Sequence, residues 1–280
     1  MKRSRIARAA LVALGWVACV IAIAAPVQDL TRQSAGFDSG ALRLNGILFK
    51  PPGAGPFPAL LWNHGSERNP GGGAQFDAVA AAFVPAGYVV FAPVRRGHGY
   101  SQGKNIVEQQ SEARRAQGDD AAQRLAVELL ETEQLDDQLA GLAHLRTMAF
   151  VDPQRIAVAG CSYGGIQALL AAERGAGYRA AISISPAALS WEGNRYLRER
   201  LLAAVARIDL PVMLIQPAKD ASLEPSRVLG AEFARLRKPF SGKVYPASGP
   251  QREQTHCFGG ARGTQVWARD ALVFLRGVLK

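Results

Sequence analysis

Residues 155–165 read RIAVAGCSYGG, and this stretch decides the fold. Its first five residues form a short apolar run typical of a buried strand, and a run of small residues typical of a helix begins near residue 164. The pentapeptide between them, residues 160–164, fits the pattern G-x-S-x-G. A serine at such a sharp strand-to-helix turn holds its hydroxyl exposed above the sheet, where it can attack a substrate. The pattern predicts an α/β fold with a nucleophile at Ser162.

The same alternation of strand and helix patterns extends from residue 41 to the end of the chain. Strand patterns lie at 41–50, 59–62, 88–92, 155–159, 180–184 and 211–216, and helix patterns at 75–86, 111–133, 134–148, 164–173 and 265–279. Continuous apolar strands are typical of parallel sheets covered by helices on both faces. We therefore expect a single α/β domain over residues 26–280, with a doubly wound, mostly parallel β-sheet flanked by helices. A small insertion is predicted around residues 186–208.

The first 25 residues differ in kind from the rest. Four basic residues precede an apolar run over 9–25, which ends in small residues. This layout predicts a secretory signal peptide cut after Ala24 or Ala25, and hence a periplasmic or secreted protein. The alternative is an uncleaved membrane anchor facing outside the cytoplasm, because this run reaches the short limit of a span, roughly 17–25 residues. Pro26, beside the expected cut, makes this alternative relevant.

Charge and composition exclude several classes of partner. The chain has 33 Lys and Arg against 23 Asp and Glu, a net charge of +10. Basic residues are scattered, without a basic stripe that contains aromatic residues, so we expect no nucleic-acid binding. No cluster of His, Cys and Asp has metal-ligand spacing, so neither a metal nor another cofactor is expected.

A serine nucleophile needs a base to take its proton, and the base needs an orienting acid. Of the four histidines, His256 alone lies downstream of Ser162, in a stretch that reads as a flexible turn. We therefore predict His256 as the base. His64 and His98 lie in glycine-flanked loops before the serine, and a loop-bracing role is favoured for His64.

The acid should follow a strand between the serine and the histidine. Asp220 comes directly after the strand pattern at 211–216, and Glu224 is the alternative four residues later. Asp209 precedes that strand and so belongs to the opposite edge of the sheet. The predicted catalytic residues are therefore Ser162, Asp220 and His256, in that chain order.

Acyl transfer also needs donors for a tetrahedral oxyanion. The backbone N–H of Tyr163, directly after the nucleophile, is one expected donor. The second is expected in the loop after Trp62, where the N–H of Ser66 is the best candidate.

Five pieces of the sequence together resemble the α/β-hydrolase superfamily, and within it the dienelactone hydrolase-like and prolyl oligopeptidase-like branches. They are LLWNHGS, FAPVRRGHGYSQG, VDPQRIAVAGCSYGG, PVMLIQPAKD and THCFGG. In these families an arginine–glycine turn such as the one at Arg95 shapes the loop and the wall of the site. Dienelactone hydrolases proper carry a cysteine where this chain has Ser162, which puts dienelactone itself in doubt as the substrate.

Two cysteines flank predicted catalytic residues. Cys161 precedes Ser162 and Cys257 follows His256. An oxidising compartment permits a bridge between them, but the sequence does not require one. Strand geometry turns Cys161 into the core, so we expect a free buried thiol that behaves as a small hydrophobic side chain without a catalytic role.

The resemblance implies a serine hydrolase that cleaves small carboxylic esters through an acyl-enzyme. Peptidase or amidase activity with the same residues is the alternative. It is less favoured because oligopeptide cleavage in the prolyl oligopeptidase family usually accompanies a large N-terminal propeller domain. A non-catalytic binding protein of the same fold is the third reading.

Overall fold

The computed structural model describes residues 30–70, 74–246, 255–258 and 261–280. Eight strands form one sheet: β1 Gln33–Ser39, β2 Leu42–Phe49, β3 Phe57–Asn63, β4 Val89–Val94, β5 Val151–Cys161, β6 Ala180–Ile184, β7 Val212–Pro217 and β8 Phe240–Tyr245. Their order in the sheet is β1-β2-β4-β3-β5-β6-β7-β8. Strand β2 pairs antiparallel with β1 and β4, and the remaining neighbours are parallel. The predicted doubly wound, mostly parallel sheet is confirmed.

Helices cover both faces of this sheet. They are α1 Ala74–Phe83, α2 Ile106–Gln117, α3 Asp119–Glu131, α4 Glu133–Arg146, α5 Tyr163–Arg174, α6 Arg195–Arg207, α7 Glu224–Arg235 and α8 Ala261–Val278. Successive residues of a strand point to opposite faces. Leu60 packs in the layer beneath α1 and α8, and Leu61 packs in the layer beneath α3 to α7. This two-sided burial explains the continuous apolar strands in the sequence.

The structure refines several element boundaries. Strand β1 and helix α7 lie where no element was predicted. The helical stretch 111–133 is divided at Gly118, whose φ of 87° stops α2 before α3 begins. The predicted insertion 186–208 consists of a loop followed by α6, which buries four side chains and serves as the crossover helix between β6 and β7.

The predicted signal segment, 1–25, lies outside the described residues. Among the helices that are described, none combines the length and the apolar character needed to cross a membrane. Signal peptide and membrane anchor therefore both stay predictions.

The start of α5 approaches the end of β3 so closely that only glycine fits. A Cβ atom at Gly164 would lie 2.0 Å from the carbonyl oxygen of Asn63. A Cβ atom at Gly160 would lie 2.4 Å from the carbonyl oxygen of Gly164. Both obstacles are backbone atoms, which cannot move aside as a flexible side chain can. The two glycines of the pentapeptide are thus required by the packing of β3, β5 and α5.

Replacing Gly164 with alanine should therefore destabilise the fold. We expect Gly164→Ala to lower the free energy of unfolding by at least about 1–3 kcal/mol, the usual cost of overpacking a core. Gly277→Ala is the matched control, because Gly277 also lies in a helix and has nothing within 4 Å of its Cβ position. The control should be neutral or stabilising by about 0.5–1 kcal/mol. Urea unfolding measures both, and equal stabilities would contradict the packing argument.

Candidate active site

Ser162 occupies a backbone conformation that side chains rarely adopt. It lies between the last residue of β5 and the first residue of α5, with φ 58° and ψ −116°. Such a conformation costs a non-glycine residue about 1–3 kcal/mol and is common at functional sites. The N–H of Ser162 donates to the carbonyl of Ile184 at 3.0 Å, and its carbonyl accepts from the N–H of Ile166 at 3.0 Å. Neighbouring strand and helix thus hold the sharp turn that the sequence predicts.

His256 and Asp220 meet through a short hydrogen bond. The Nδ1 atom of His256 lies 2.8 Å from Oδ1 of Asp220, whose side chain has no exposed surface. Because a carboxylate can only accept, Nδ1 carries the proton and donates it. In the neutral form of a ring that donates from Nδ1, the other nitrogen, Nε2, is the proton acceptor. Nε2 is buried and has no hydrogen-bond partner in the part of the chain that the structure describes. This ring is oriented and has a free proton-accepting nitrogen.

Hydrogen bonds keep Asp220 ionised despite its burial. Burial alone would raise the pKa of this carboxyl. The hydrogen bonds from His256, Ser185 and Gln216 outweigh burial, so the pKa lies below its ordinary value. The donor from Gln216 is Nε2, at 3.0 Å from Oδ2. A negative charge beside the imidazole stabilises its protonated form during proton transfer.

A disulfide joins the two halves of the site. Cys161 and Cys257 are bridged, with their Cα atoms 5.8 Å apart. The expectation of a free thiol at Cys161 is therefore wrong, although the side chain is buried as predicted. The fold brings the two Cα atoms within the distance that a disulfide spans, although the residues are 96 positions apart in sequence. Cys257 itself has a φ of 61°, in the left-handed region, within the turn His256–Phe258. The bridge brings the neighbours of these cysteines, Ser162 and His256, to the same edge of the sheet.

The buried side chain of Arg95 forms hydrogen bonds with the loop after β3. Its guanidinium donates to the carbonyl oxygens of His64 at 2.7 Å and Gly65 at 2.6 Å. It also donates to the side-chain oxygen of Gln134 at 3.1 Å. Burial lowers the pKa of Arg95 to about 10, so the group stays charged at neutral pH. The loop is therefore fixed by a buried cation, which agrees with the role predicted for this turn.

His64 braces the same loop. One ring nitrogen, Nδ1, lies 2.8 Å from the carbonyl oxygen of Gly65, and Nε2 accepts from the N–H of Arg95 at 3.2 Å. Burial, with the nearby charge of Arg95, holds the pKa of His64 well below its ordinary value. Both ring nitrogens are engaged, so His64 has no nitrogen left to act as a base, as the sequence analysis favoured.

The two expected oxyanion donors belong to the start of α5 and to the loop after β3. Tyr163 is the first residue of α5, so its N–H has no acceptor within the helix. Ser66 is exposed at the tip of the loop that Arg95 fixes. Its neighbour Gly65 approaches the turn, since a Cβ atom there would lie 3.8 Å from the carbonyl oxygen of Cys161.

The alternative acids do not contact His256 among the described residues. Glu224 pairs with Arg227 on the first turn of α7, at 2.8 Å. Asp209 lies before β7 and pairs with Lys238 at 2.8 Å. Asp220 is the carboxylate that the structure places on the imidazole.

Three polar residues of the site were missed by the sequence analysis. Ser185 contacts the turn His256–Phe258, because its Oγ accepts from the N–H of Cys257 at 3.4 Å. Gln216 is the one polar residue of strand β7, next to its last residue, and this polar residue shortly before Asp220 was a detectable signal. Gln110, on α2, donates to the hydroxyl of Tyr163 at 2.9 Å and places that helix beside the site. Nothing in the sequence around Gln110 marks it.

Metal-ligating side chains do not cluster in the described part of the chain. No group of three or more His, Cys, Asp or Glu residues there could hold a metal ion.

Known proteins resemble this chain in one segment of sequence and in overall fold. Residues 118–193, which include the nucleophile turn, match the prolyl oligopeptidase family. No curated protein matches the chain significantly.

Solved structures extend the likeness to the whole fold. Acylaminoacyl peptidase of Pyrococcus horikoshii superposes with a TM-score of 0.66 at 19% identity, covering 90% of this chain and 42% of that one. A puromycin-hydrolyzing peptidase of Mycobacterium tuberculosis has a TM-score of 0.69 at 18% identity, covering 89% of this chain and 39% of that one. Pyrococcus furiosus esterase Pf2001 has a TM-score of 0.64 at 15% identity, with 90% and 94% covered.

These similarities confirm the α/β-hydrolase fold and the resemblance to that superfamily. The chain spans about two fifths of the length of the two peptidases. The dienelactone hydrolase-like branch is tested by none of these matches and stays a prediction.

The lowered pKa of Asp220 gives a pH-dependent contribution to stability. A carboxyl with a depressed pKa stabilises the fold above its ordinary pKa, and this contribution is lost as the pH falls through the folded-state pKa. Asp220→Asn removes the titrating group. We expect its free energy of unfolding to fall less steeply than that of the wild type as the pH drops below about 4.

Urea unfolding at several pH values measures this difference. Asp209→Asn, which removes an exposed carboxylate at the opposite edge of the sheet, controls for the loss of one acidic group. Parallel pH profiles for wild type and Asp220→Asn would refute the assignment.

Proposed function

We propose that this chain is a serine hydrolase that cleaves small carboxylic esters through a covalent acyl-enzyme. One observation carries the proposal. The imidazole of His256 is oriented by buried Asp220 and is tied by the Cys161–Cys257 bridge to the turn that bears Ser162, and its Nε2 has no hydrogen-bond partner among the residues that the structure describes. An oriented base beside a serine in strained backbone is the arrangement that nucleophilic catalysis needs.

Each residue has a distinct role in the proposed reaction. Nε2 of His256 takes the proton of the Ser162 hydroxyl as its oxygen attacks the ester carbonyl. Asp220 holds the ring in the required tautomer and stabilises the imidazolium. The backbone N–H groups of Tyr163 and Ser66 donate to the oxyanion. The imidazolium then protonates the departing alcohol, and a water molecule repeats the sequence to release the acid and restore Ser162.

The structural match to an esterase supports ester cleavage as the proposed reaction. The Pyrococcus furiosus esterase is matched over 94% of its length, so the fold common to both chains makes up nearly the whole of that protein. More than half of each matched peptidase lies outside the common part. The match of residues 118–193 to the prolyl oligopeptidase family keeps peptidase activity as the second candidate.

An oxidising location is part of the proposal. Disulfides persist in secreted and periplasmic proteins and are rare in the cytosol. The Cys161–Cys257 bridge therefore supports the export that the first 25 residues predict.

A fluorophosphonate probe tests the nucleophile. We expect the wild type to be labelled and Ser162→Ala to be unlabelled, with kcat for a p-nitrophenyl acyl ester reduced by about 10⁴–10⁶. Asp220→Asn should lower kcat by about 10⁴, since it favours the wrong tautomer of His256. Asp209→Asn is the matched control and should keep wild-type turnover. Wild-type protein that the probe leaves unlabelled would favour a non-catalytic binding protein. Faster turnover of an aminoacyl anilide than of the ester would favour the peptidase reading.

The proposed oxyanion donor at Ser66 is a backbone N–H, so a variant that lacks this N–H can be compared with one that lacks only the side-chain hydroxyl. Ser66→Pro removes the N–H and should lower kcat by about 10²–10³. Ser66→Ala keeps the N–H and should retain wild-type kcat. The side chain of Ser66 is exposed, so replacing it removes no core contact. Equal kcat values for the two variants, with unchanged circular dichroism, would remove Ser66 from the oxyanion hole.

A further inference from the structure

The single disulfide seen in the described residues lies between the proposed nucleophile and the proposed base. Cys161 is the residue before Ser162, and Cys257 is the residue after His256. With bridged Cα atoms 5.8 Å apart and consecutive Cα atoms about 3.8 Å apart, the Cα atoms of Ser162 and His256 stay within about 13 Å of each other. The disulfide therefore sets an upper limit on the distance between the backbone of the proposed nucleophile and that of the proposed base.

Contacts other than the bridge also reach the turn that carries His256, from β7 and from α8. Its non-covalent attachments include the hydrogen bond to Asp220 at 2.8 Å and a longer one from the N–H of Cys257 to Ser185 at 3.4 Å. The ring of Phe258 is buried against Tyr245, with ring centroids 5.6 Å apart. Phe258 anchors the end of the turn rather than the imidazole.

The backbone of this turn favours other conformations. Cys257 and Phe258 have φ values of 61° and 53°. Two consecutive non-glycine residues in the left-handed region persist only when surrounding structure holds them there. The bridge is attached at the first of these two residues. A bridge at this position can stabilise the conformation of the turn and so the position of the His256 imidazole.

We propose that Cys161 and Cys257 are positioning residues of the hydrolase, whose bridge keeps His256 within reach of the Ser162 hydroxyl. This inference rests on the proposed function. It makes the rate of the chemical step depend on the oxidation state of the pair. Without the bridge the turn relaxes, the imidazole spends less time beside the hydroxyl, and kcat falls while substrate binding is retained.

A dithiol reagent can reduce the bridge by thiol–disulfide exchange that begins at the more exposed cysteine. Cys257 is partly exposed, whereas Cys161 is 1% exposed. One thiolate of dithiothreitol attacks Sγ of Cys257 and displaces the thiolate of Cys161. The second thiol of the reagent then displaces Cys257 and closes its own disulfide. Both protein thiolates take up protons, so the protein pair is reduced and the reagent is oxidised.

A bridge that only stabilised the fold would behave differently. It closes a long loop, with a sequence separation of 96, and such a bridge lowers the entropy of the unfolded chain. Its loss would then reduce the melting temperature and leave the kcat of the folded molecules unchanged. The two roles are separated by measuring kcat well below the melting temperature of the reduced protein.

The experiment compares full-length wild type in the oxidised, dithiothreitol-reduced and reoxidised states with Cys161→Ala/Cys257→Ala. On a p-nitrophenyl acyl ester we expect reduction to lower kcat at least tenfold, with KM changed less than twofold and with recovery on reoxidation. Fluorophosphonate labelling of Ser162 should slow by a similar factor. The double variant should show the low kcat and no response to the reductant. If this variant does not fold, Cys257→Ser and wild type reduced after folding provide the same comparison.

Near-UV circular dichroism reports the folded fraction in each state. Equal kcat in the oxidised and reduced wild type, or a loss that only follows the unfolded fraction, overturns the positioning role and leaves the proposed function intact. Oxidised wild type that is neither labelled at Ser162 nor active on the ester overturns the proposed function, and this inference with it.

Discussion

The left-handed backbone of Ser162 is the constraint on which the rest of the site depends. A φ of 58° at a serine is unfavourable in isolation. It is imposed by the close approach of β3, β5 and α5, which the glycines at 160 and 164 permit. Ser162 lies at the edge of the sheet, and the N–H of Tyr163 has no acceptor within its helix because Tyr163 is the first residue of α5. The packing of the core therefore fixes the position of the Ser162 side chain.

Buried polar groups stabilise the loops around this turn. Arg95 is 1% exposed and satisfies the carbonyl groups of the loop after β3. Its neighbour Arg96 donates to the fully buried carboxylate of Asp137 at 2.9 Å, which also accepts from Ser39 at 2.8 Å. Buried charges are tolerated when they are paired and hydrogen-bonded, and breaking one such pair is strongly destabilising. The loops therefore hold their shape before any substrate arrives.

Much of this arrangement could be predicted from the sequence because its signals are local. The pentapeptide at 160–164 and the continuous apolar strands specify the central sheet, and the scarcity of histidines isolates His256. The edge strand β1 carries small and polar residues apart from Phe37, so no apolar pattern marks it. The disulfide depends on a distance across the fold between residues 96 apart in sequence, which no local pattern contains. Support from Ser185 and Gln110 likewise arises only where separate elements meet.

Helix α2 lies next to the site yet belongs only slightly to the core. Ile106 is its one fully buried residue, and Gln110 connects it to Tyr163. The folding free energy resides mainly in the sheet and in the helices that cover it. Substitutions along the exposed surface of α2 should therefore alter the surroundings of Tyr163 at little cost in stability. In a hydrolase that acts as proposed, this segment can therefore diverge while the surroundings of Ser162 and His256 are retained.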